Sequence, residues 1–316
     1  MTKLSPKDAR ARFREMTDGL ALPVVAAPMF IVSAPPLVKA ERRAGIIGAF
    51  PALNARPQGA LTEWLDEIEA VGGAPFAVNQ IVHRSNDRLM PDMEVMVRHR
   101  VPLCITSLGA RPEVFEAVQS YGGLTFHDVI NDRFARKAVE KGADGLILVA
   151  AGAGGHAGTL SPFAFLAEVR QWFDGPILLS GSIATGAGVL AARAMGADAA
   201  YIGSALIATE EANANDAYKQ GVVEGRADDI LYTNYFSGVH GNYYKPSIRD
   251  AGMDPDDLPE ADPSKMDFKS GGDSDAKVWK DIWGMGQGIG AVDAVEPLAD
   301  VVTRLTREYE AARASL

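Results

Sequence analysis

Eight short apolar runs, each rich in β-branched residues and most followed by a stretch of helical periodicity, constrain this chain more than any other feature. They lie at 24–30, 45–50, 76–82, 103–108, 124–129, 145–151, 177–182 and 199–205. The intervening periodicity predicts helices over 61–71, 111–121, 132–141, 162–172 and 186–195; in the first, Leu61, Trp64, Leu65 and Ile68 share one face. Asn131 is placed to cap a helix start, and Gly142 and Gly196 to close two helix ends. A strand-helix unit repeated eight times predicts an α/β fold, a (β/α)8 TIM barrel with its site at the C-terminal strand ends. A doubly wound open sheet is the alternative topology.

Composition fits that size of fold. The chain has 316 residues, 47% hydrophobic and 23% charged, which suits one large α/β barrel. A net charge of −10 argues against nucleic acid as a partner, because a phosphate backbone needs clustered Lys and Arg. One cysteine, Cys104, excludes an intramolecular disulfide and suits a reducing cytoplasm. No run of about 18 apolar residues is present, and the charged start lacks a signal-peptide core, so no membrane partner is expected.

The predicted strand ends carry small and polar residues: Ala27, Pro28 and Met29 on the first, Asn79 on the third, Thr106 and Ser107 on the fourth, His127 and Asp128 on the fifth. Ser180, Gly181 and Ser182 on the seventh, with Gly203 and Ser204 on the eighth, match the phosphate site of a TIM barrel, although turn chemistry favours the same residues. The helix starting near Thr185 and Gly186 is expected to aim its positive end there. The sixth run leads through Gly152, Gly154 and Gly155 to His156. Glycines let a backbone approach a ligand closely, and a histidine placed there reads as a general base or as a residue satisfying a nearby carbonyl.

After the eighth run the periodicity lapses. Residues 210–275 are rich in Asp, Asn, Pro, Gly and Tyr, with an aromatic cluster over 232–244. A long segment of this kind reads as an inserted lid or small subdomain in a barrel made of 1–209 and 276–316. The aromatic cluster suits a ligand cap, a satellite core or a homodimer contact. A glycine-dense stretch over 279–290 then precedes a final amphipathic helix over 297–312.

Taken in order, Ala27-Pro28-Met29, Val78-Asn79, Ala153 to Gly158, Ser180-Gly181, Ala197-Asp198 leading to Ile202-Gly203-Ser204, and Gly286-Gln287-Gly288 resemble the FMN-dependent nitronate monooxygenases, formerly called 2-nitropropane dioxygenases. The resemblance implies a TIM barrel with an inserted segment and FMN over the strand ends. It implies that Ala27, Pro28 and Met29 pack along the flavin ring edge, that Asn79 bonds the flavin, and that Ser180, Gly181, Gly203 and Ser204 hold its phosphate. Gly154, Gly155 and Gln287 would complete the cradle, and His156 would be the catalytic base. The implied reaction takes a nitronate, or a nitroalkane that has lost its α proton, with oxygen to a carbonyl compound and nitrite. The implied protein is a flavoprotein monooxygenase whose partners are a small-molecule substrate and oxygen.

One position departs from the pattern: many members carry a glutamate where this chain has Gly152. The departure bears on substrate and leaves open an FMN-dependent NAD(P)H reductase of quinones or enoyl thioesters on the same framework. No GxGxxG follows the first strand, so no tightly held dinucleotide is indicated. A phosphosugar aldolase would need a lysine at a strand end, and the predicted strands carry none. A non-catalytic flavin binder would make His156 dispensable. No metal is expected, because His83 and His240 lack partners at ligand spacing and 254–257 lacks the calcium-loop pattern. Cys104 reads as a buried small hydrophobe, and His127-Asp128 as a second polar group at the site or as structural residues.

Overall fold

The computed structural model describes residues 3–261 and 281–316. Its strands, in chain order, are β1 (Val24–Ala26), β2 (Gly48–Pro51), β3 (Phe76–Ile81), β4 (Leu103–Ser107), β5 (Leu124–Val129), β6 (Gly145–Val149), β7 (Gly155–His156), β8 (Ile177–Ser180), β9 (Ala199–Ile202), β10 (Ile230–Thr233) and β11 (Gly241–Tyr244). Eight of them form one parallel sheet in the order β1-β9-β8-β6-β5-β4-β3-β2. The sheet closes on itself where the Ala26 amide donates to the Ile47 carbonyl at 2.8 Å and the Ile47 amide to the Val24 carbonyl at 3.1 Å. The expected TIM barrel is therefore the observed fold, with each strand within a few residues of its predicted run.

Helices follow the strands as their sequences dictate. Asn131 accepts from the Phe134 amide at the start of Asp132–Lys141, and Gly142 ends that helix at φ 118°, which a side chain would resist. The N-terminal helix Pro6–Thr17 closes the bottom of the barrel. Its Phe13 packs on Phe126 at 5.0 Å between ring centroids, and its Arg10 pairs with Asp198 at 2.7 Å. Asp198 also takes Arg170 at 2.6 Å, so this residue of the family-like segment anchors the barrel's base and stands outside the cavity.

Strand parity divides the core. Val25, Ala77, Leu103, Ile105, Phe126, Ile147 and Leu178 pack along the axis, while their chain neighbours Val78, Cys104, Leu146 and Leu179 face the surrounding helices. Cys104 is fully buried, and burial pushes its thiol up to about 12, which makes it a packing residue.

The segment after β9 holds the helix Asp216–Glu224 and the antiparallel pair β10 and β11, elements that its composition did not announce. Tyr243, Ile248 and Ile282 form a small core of their own. β11 also pairs with β7, so a barrel loop supplies the third strand of this sheet. The expected return to the barrel near residue 276 lies outside the described residues, as do Trp279 and Lys280.

The final helix Leu298–Ser315 packs against Gly186–Ala194 and Pro35–Arg43, completing the outer layer. A Cβ on Gly186 would overlap the backbone of Leu305 and Tyr309. Gly186→Ala is therefore expected to lower the unfolding free energy by roughly 1–3 kcal/mol in urea titrations. Gly59→Ala, where an added Cβ meets nothing within 4 Å, should change it little.

Candidate active site

At the C-terminal ends of the strands lies a cavity of about 1530 Å³. Ligand pockets typically measure roughly 300–1,000 Å³, so this one has room for a cofactor and a substrate together. Ala27, Pro28 and Met29 form one wall. That turn is pinned from outside: the Met29 amide donates to Ser33 Oγ at 2.9 Å, and Asn54 donates to the Met29 and Ser33 carbonyls.

The floor is the last axis-facing layer of β3, β4 and β5. Asn79 Nδ2 donates to Ser107 Oγ at 2.7 Å, and Ser107 Oγ donates to Asp128 Oδ2. The other carboxyl oxygen, Oδ1, is buried with no hydrogen-bond partner. Burial raises Asp128 to about 7 against the lowering effect of Ser107. His127 points the other way. It bonds Thr106 Oγ1 through Nδ1 at 2.7 Å, packs edge-on to Phe115, and is lowered by burial to about 4. Of that pair, Asp128 is the residue that joins the floor.

Ser180, Gly181, Gly203 and Ser204 line the cavity at adjacent strand ends, as the sequence predicted. The helix Gly186–Ala194 does not turn its N-terminus to them. Its first amide donates to Glu308 Oε2 at 2.8 Å and the Gly188 amide to Thr185 Oγ1 at 3.0 Å, so its positive end is already taken. An anion at Ser180 and Gly203 would be held by loop residues.

Gly154, Gly155 and His156 form the opposite rim. Two glycine loops meet here backbone to backbone: the Gly286 amide donates to Ser204 Oγ at 2.8 Å, and the Gln287 amide to the Gly152 carbonyl at 2.9 Å. A Cβ on Gly154 would stand 2.8 Å from the Gly286 amide nitrogen, a distance no side chain keeps. Gly155, at φ 65°, leaves the space of its missing side chain to the cavity, with no protein atom within 4 Å. Gln287 is the one predicted cradle residue outside the wall. The neighbouring Gly286 and Gly288 face inward, so its side chain is exposed and it acts through its backbone amide.

His156 is held from the inserted segment. Its Nε2 lies 2.8 Å from Ser237 Oγ, which donates to the Val239 carbonyl at 3.1 Å. A hydroxyl has one proton; given to Val239, it leaves Nε2 as the donor toward Ser237. His156 keeps part of its surface toward the cavity, and burial of the rest lowers it to about 4. The ring is neutral at pH 7. Asn242, opposite Gly155 in the β11–β7 pairing, donates to the Ala153 carbonyl at 2.6 Å and fixes the loop. Sequence reasoning found His156 but missed Ser237 and Asn242, which reach it only through that pairing. Of the other histidines, His240 stacks on Tyr232 and His83 bonds Ser85. Among the described residues one group has metal-ligand proximity, Asp66, Glu69 and His99, with ligand atoms within 4.8 Å of one another and none in the cavity wall.

A family model described as nitronate monooxygenase matches residues 14–308. The chain belongs to the nitronate monooxygenase family. That family places it among the flavin-dependent oxidoreductases. A nitronate monooxygenase of Paraburkholderia phytofirmans is 26% identical over 283 residues, 75% of this chain and 77% of that protein. A hydroxy-methyl-oxo-octahydro-indene-carboxyl-CoA dehydrogenase of Mycobacterium tuberculosis is 26% identical over 226 residues, 70% of this chain but only 62% of that relative's length. The solved nitroalkane oxidase of Streptomyces ansochromogenes superposes with a TM-score of 0.81 at 24% identity, over 95% of this chain and 99% of that one, a likeness of fold.

The structure gives the Gly152 departure a physical setting. Gly152 sits at φ 81°, and a Cβ there would overlap Ser182 Oγ and stand 2.9 Å from Gln287 Oε1. Ser182 is itself held at φ 56°. A glutamate at 152 therefore requires Ser182 to move. Gly152→Ala should destabilise by roughly 1–3 kcal/mol in urea unfolding, and adding Ser182→Ala should recover part of that loss. Equal and additive losses would mean the two positions do not compete for space.

Proposed function

We propose that this protein is an FMN-dependent nitronate monooxygenase, oxidising alkyl nitronates, and nitroalkanes after proton abstraction, with oxygen to carbonyl compounds and nitrite. The observation that carries the reading is His156, hydrogen-bonded to Ser237 on the glycine rim of a cavity large enough for a flavin beside a substrate.

The residues present suit FMN. Ala27, Pro28 and Met29 offer a rigid apolar wall for the ring edge, and Gly155 leaves the space a side chain would fill. Asn79 spends its amide protons on Ser107 and the Ile105 carbonyl, so its Oδ1 is the atom left to accept from a ring N–H. Ser180, Gly181, Gly203 and Ser204 would hold a single phosphate, with Gly154 beside them and the Gln287 amide tying its loop to the Gly152 carbonyl. When bound, the flavin supplies the electron transfer from the nitronate and the reaction with oxygen. The protein orients the substrate, and neutral His156 takes the α proton of a nitroalkane. The segment after β9, through Ser237, acts as an inserted lid that also positions the base. A single buried thiol suits work in the cytoplasm.

Releasing the cofactor by denaturation and chromatographing it should give FMN; FAD, or no flavin, overturns the cofactor reading. Nitrite should appear on turnover of ethyl nitronate in air. Flavin reduction by NAD(P)H with no nitrite from any nitronate would favour a reductase of quinones or enoyl thioesters. His156→Asn should keep its flavin and lose about 10²- to 10⁴-fold in turnover of neutral nitroethane, with a smaller loss on the pre-ionised nitronate. With His156 lowered to about 4, this base stays deprotonated from pH 6 upward and its own acid limb falls near pH 4. Wild-type rates for both substrates in His156→Asn would make it a structural residue.

A further inference from the structure

We propose that Asp128 is a second proton-carrying residue of this cavity, neutral when an anionic ligand such as a nitronate is bound and repelling that ligand when ionised. The inference deepens the proposed function and rests on it for the identity of the anion.

The hydrogen-bond direction on the floor leads to this. Asn79 Nδ2 gives a proton to Ser107 Oγ, and Ser107 gives its own proton to Asp128 Oδ2. A serine hydroxyl has no second proton, and among the described residues nothing offers one to Oδ1. Oδ1 is buried without a partner. An ionised carboxylate in that position would leave charge on an unsatisfied atom in a desolvated site, whereas a neutral acid carries its own proton there.

The nearby cation, Lys141, lines the cavity but gives its ammonium to the Ala110 carbonyl at 2.6 Å and acts on His127 rather than on Asp128. Beside Asp128 in the barrel are Ser107 on β4 and the apolar Ile147 and Val149 on β6; the Tyr201 phenol on β9 is itself raised by burial and by Asp128. His127 next to it in the chain bonds Thr106 and is lowered to about 4, as is His156 at the rim, so both imidazoles are neutral at pH 7. Among the described residues no lysine or arginine forms an ion pair with Asp128. Asp128 is nevertheless part of the cavity wall and only half-buried as a residue, so its charge borders the ligand space although Oδ1 itself is covered.

The usual order of the two residue types is therefore inverted. The carboxyl titrates at about 7 and the imidazole at about 4, so between those values the aspartic acid holds the proton and the histidine is ready to accept one. An arriving nitronate meets a neutral floor in acid and a like charge in alkali.

The test uses flavin-loaded protein and propionate, a carboxylate of similar size to ethyl nitronate that is not turned over. Calorimetric affinity for propionate should weaken by about tenfold or more between about pH 6 and pH 9 in the wild type, and stay nearly flat in Asp128→Asn. Ser107→Ala removes the donor that favours the ionised form, so its midpoint should move to higher pH. Infrared difference spectra should show a protonated carboxyl that disappears as pH rises through about 7 and is absent from Asp128→Asn. The same pH profile in wild type and Asp128→Asn, no such carboxyl, or no propionate binding at acid pH overturns the proposal. Neither readout needs turnover. If no nitronate yields nitrite while the midpoint follows Asp128, the proposed activity fails and the assignment of Asp128 stands.

Discussion

Alternation along the strands of a closed barrel decides both the core and the site. Each strand presents one face to the axis, and on β4 that face reads Leu103, Ile105, Ser107, while on β5 it reads Leu124, Phe126, Asp128. The lower positions are hydrocarbon and exclude water; the topmost are polar and meet ligand. A one-residue slip of β5 would bring His127 to the axis and send Asp128 among the helices, so the hydrophobic register that folds the barrel also selects the acid on its floor.

A second constraint is the close approach of two glycine loops. Gly152 and Gly154 meet Gly286 and Gln287 through backbone atoms, and β11 adds itself to β7 beside them. Three segments far apart in the chain thus converge on His156. The inserted segment is part of this construction, because the hydroxyl that bonds the imidazole is its own Ser237. Wherever a side chain would intrude the sequence has glycine, and the strain left over is carried by Ser182 at φ 56°.

Much of this was legible in the sequence because it is local. Strand parity, helix caps such as Asn131 and Gly142, and the small residues at strand ends are read within a few positions of one another. The helix 132–141 falls where its periodicity placed it. What was not legible depends on contacts across the fold. Nothing near Thr185 shows that Glu308, more than a hundred residues later, takes the amide at Gly186 and turns that helix end away from the cavity. β10 and β11 lie in a segment whose composition reads as loop, and their pairing with β7 is what brings Ser237 to His156. Asp128 could be named from its place beside His127, but which of the two faces the axis follows only from the register of β5.

The same desolvation that lowers His156 raises Asp128, and together they leave the cavity floor uncharged between about pH 4 and pH 7. Of the cations that line the cavity, Arg56 and Lys137 are exposed to solvent and Lys141 is half-buried. On the proposed function, an anion would be drawn by these charges and meet a floor that is neutral below about pH 7. Such a floor distinguishes ligands by protonation. On that function, a neutral nitroalkane would be indifferent to the state of Asp128, whereas its nitronate would be repelled once the carboxyl ionises. The barrel thereby couples substrate charge to the state of one carboxyl, and it does so with residues whose placement was fixed by packing the core.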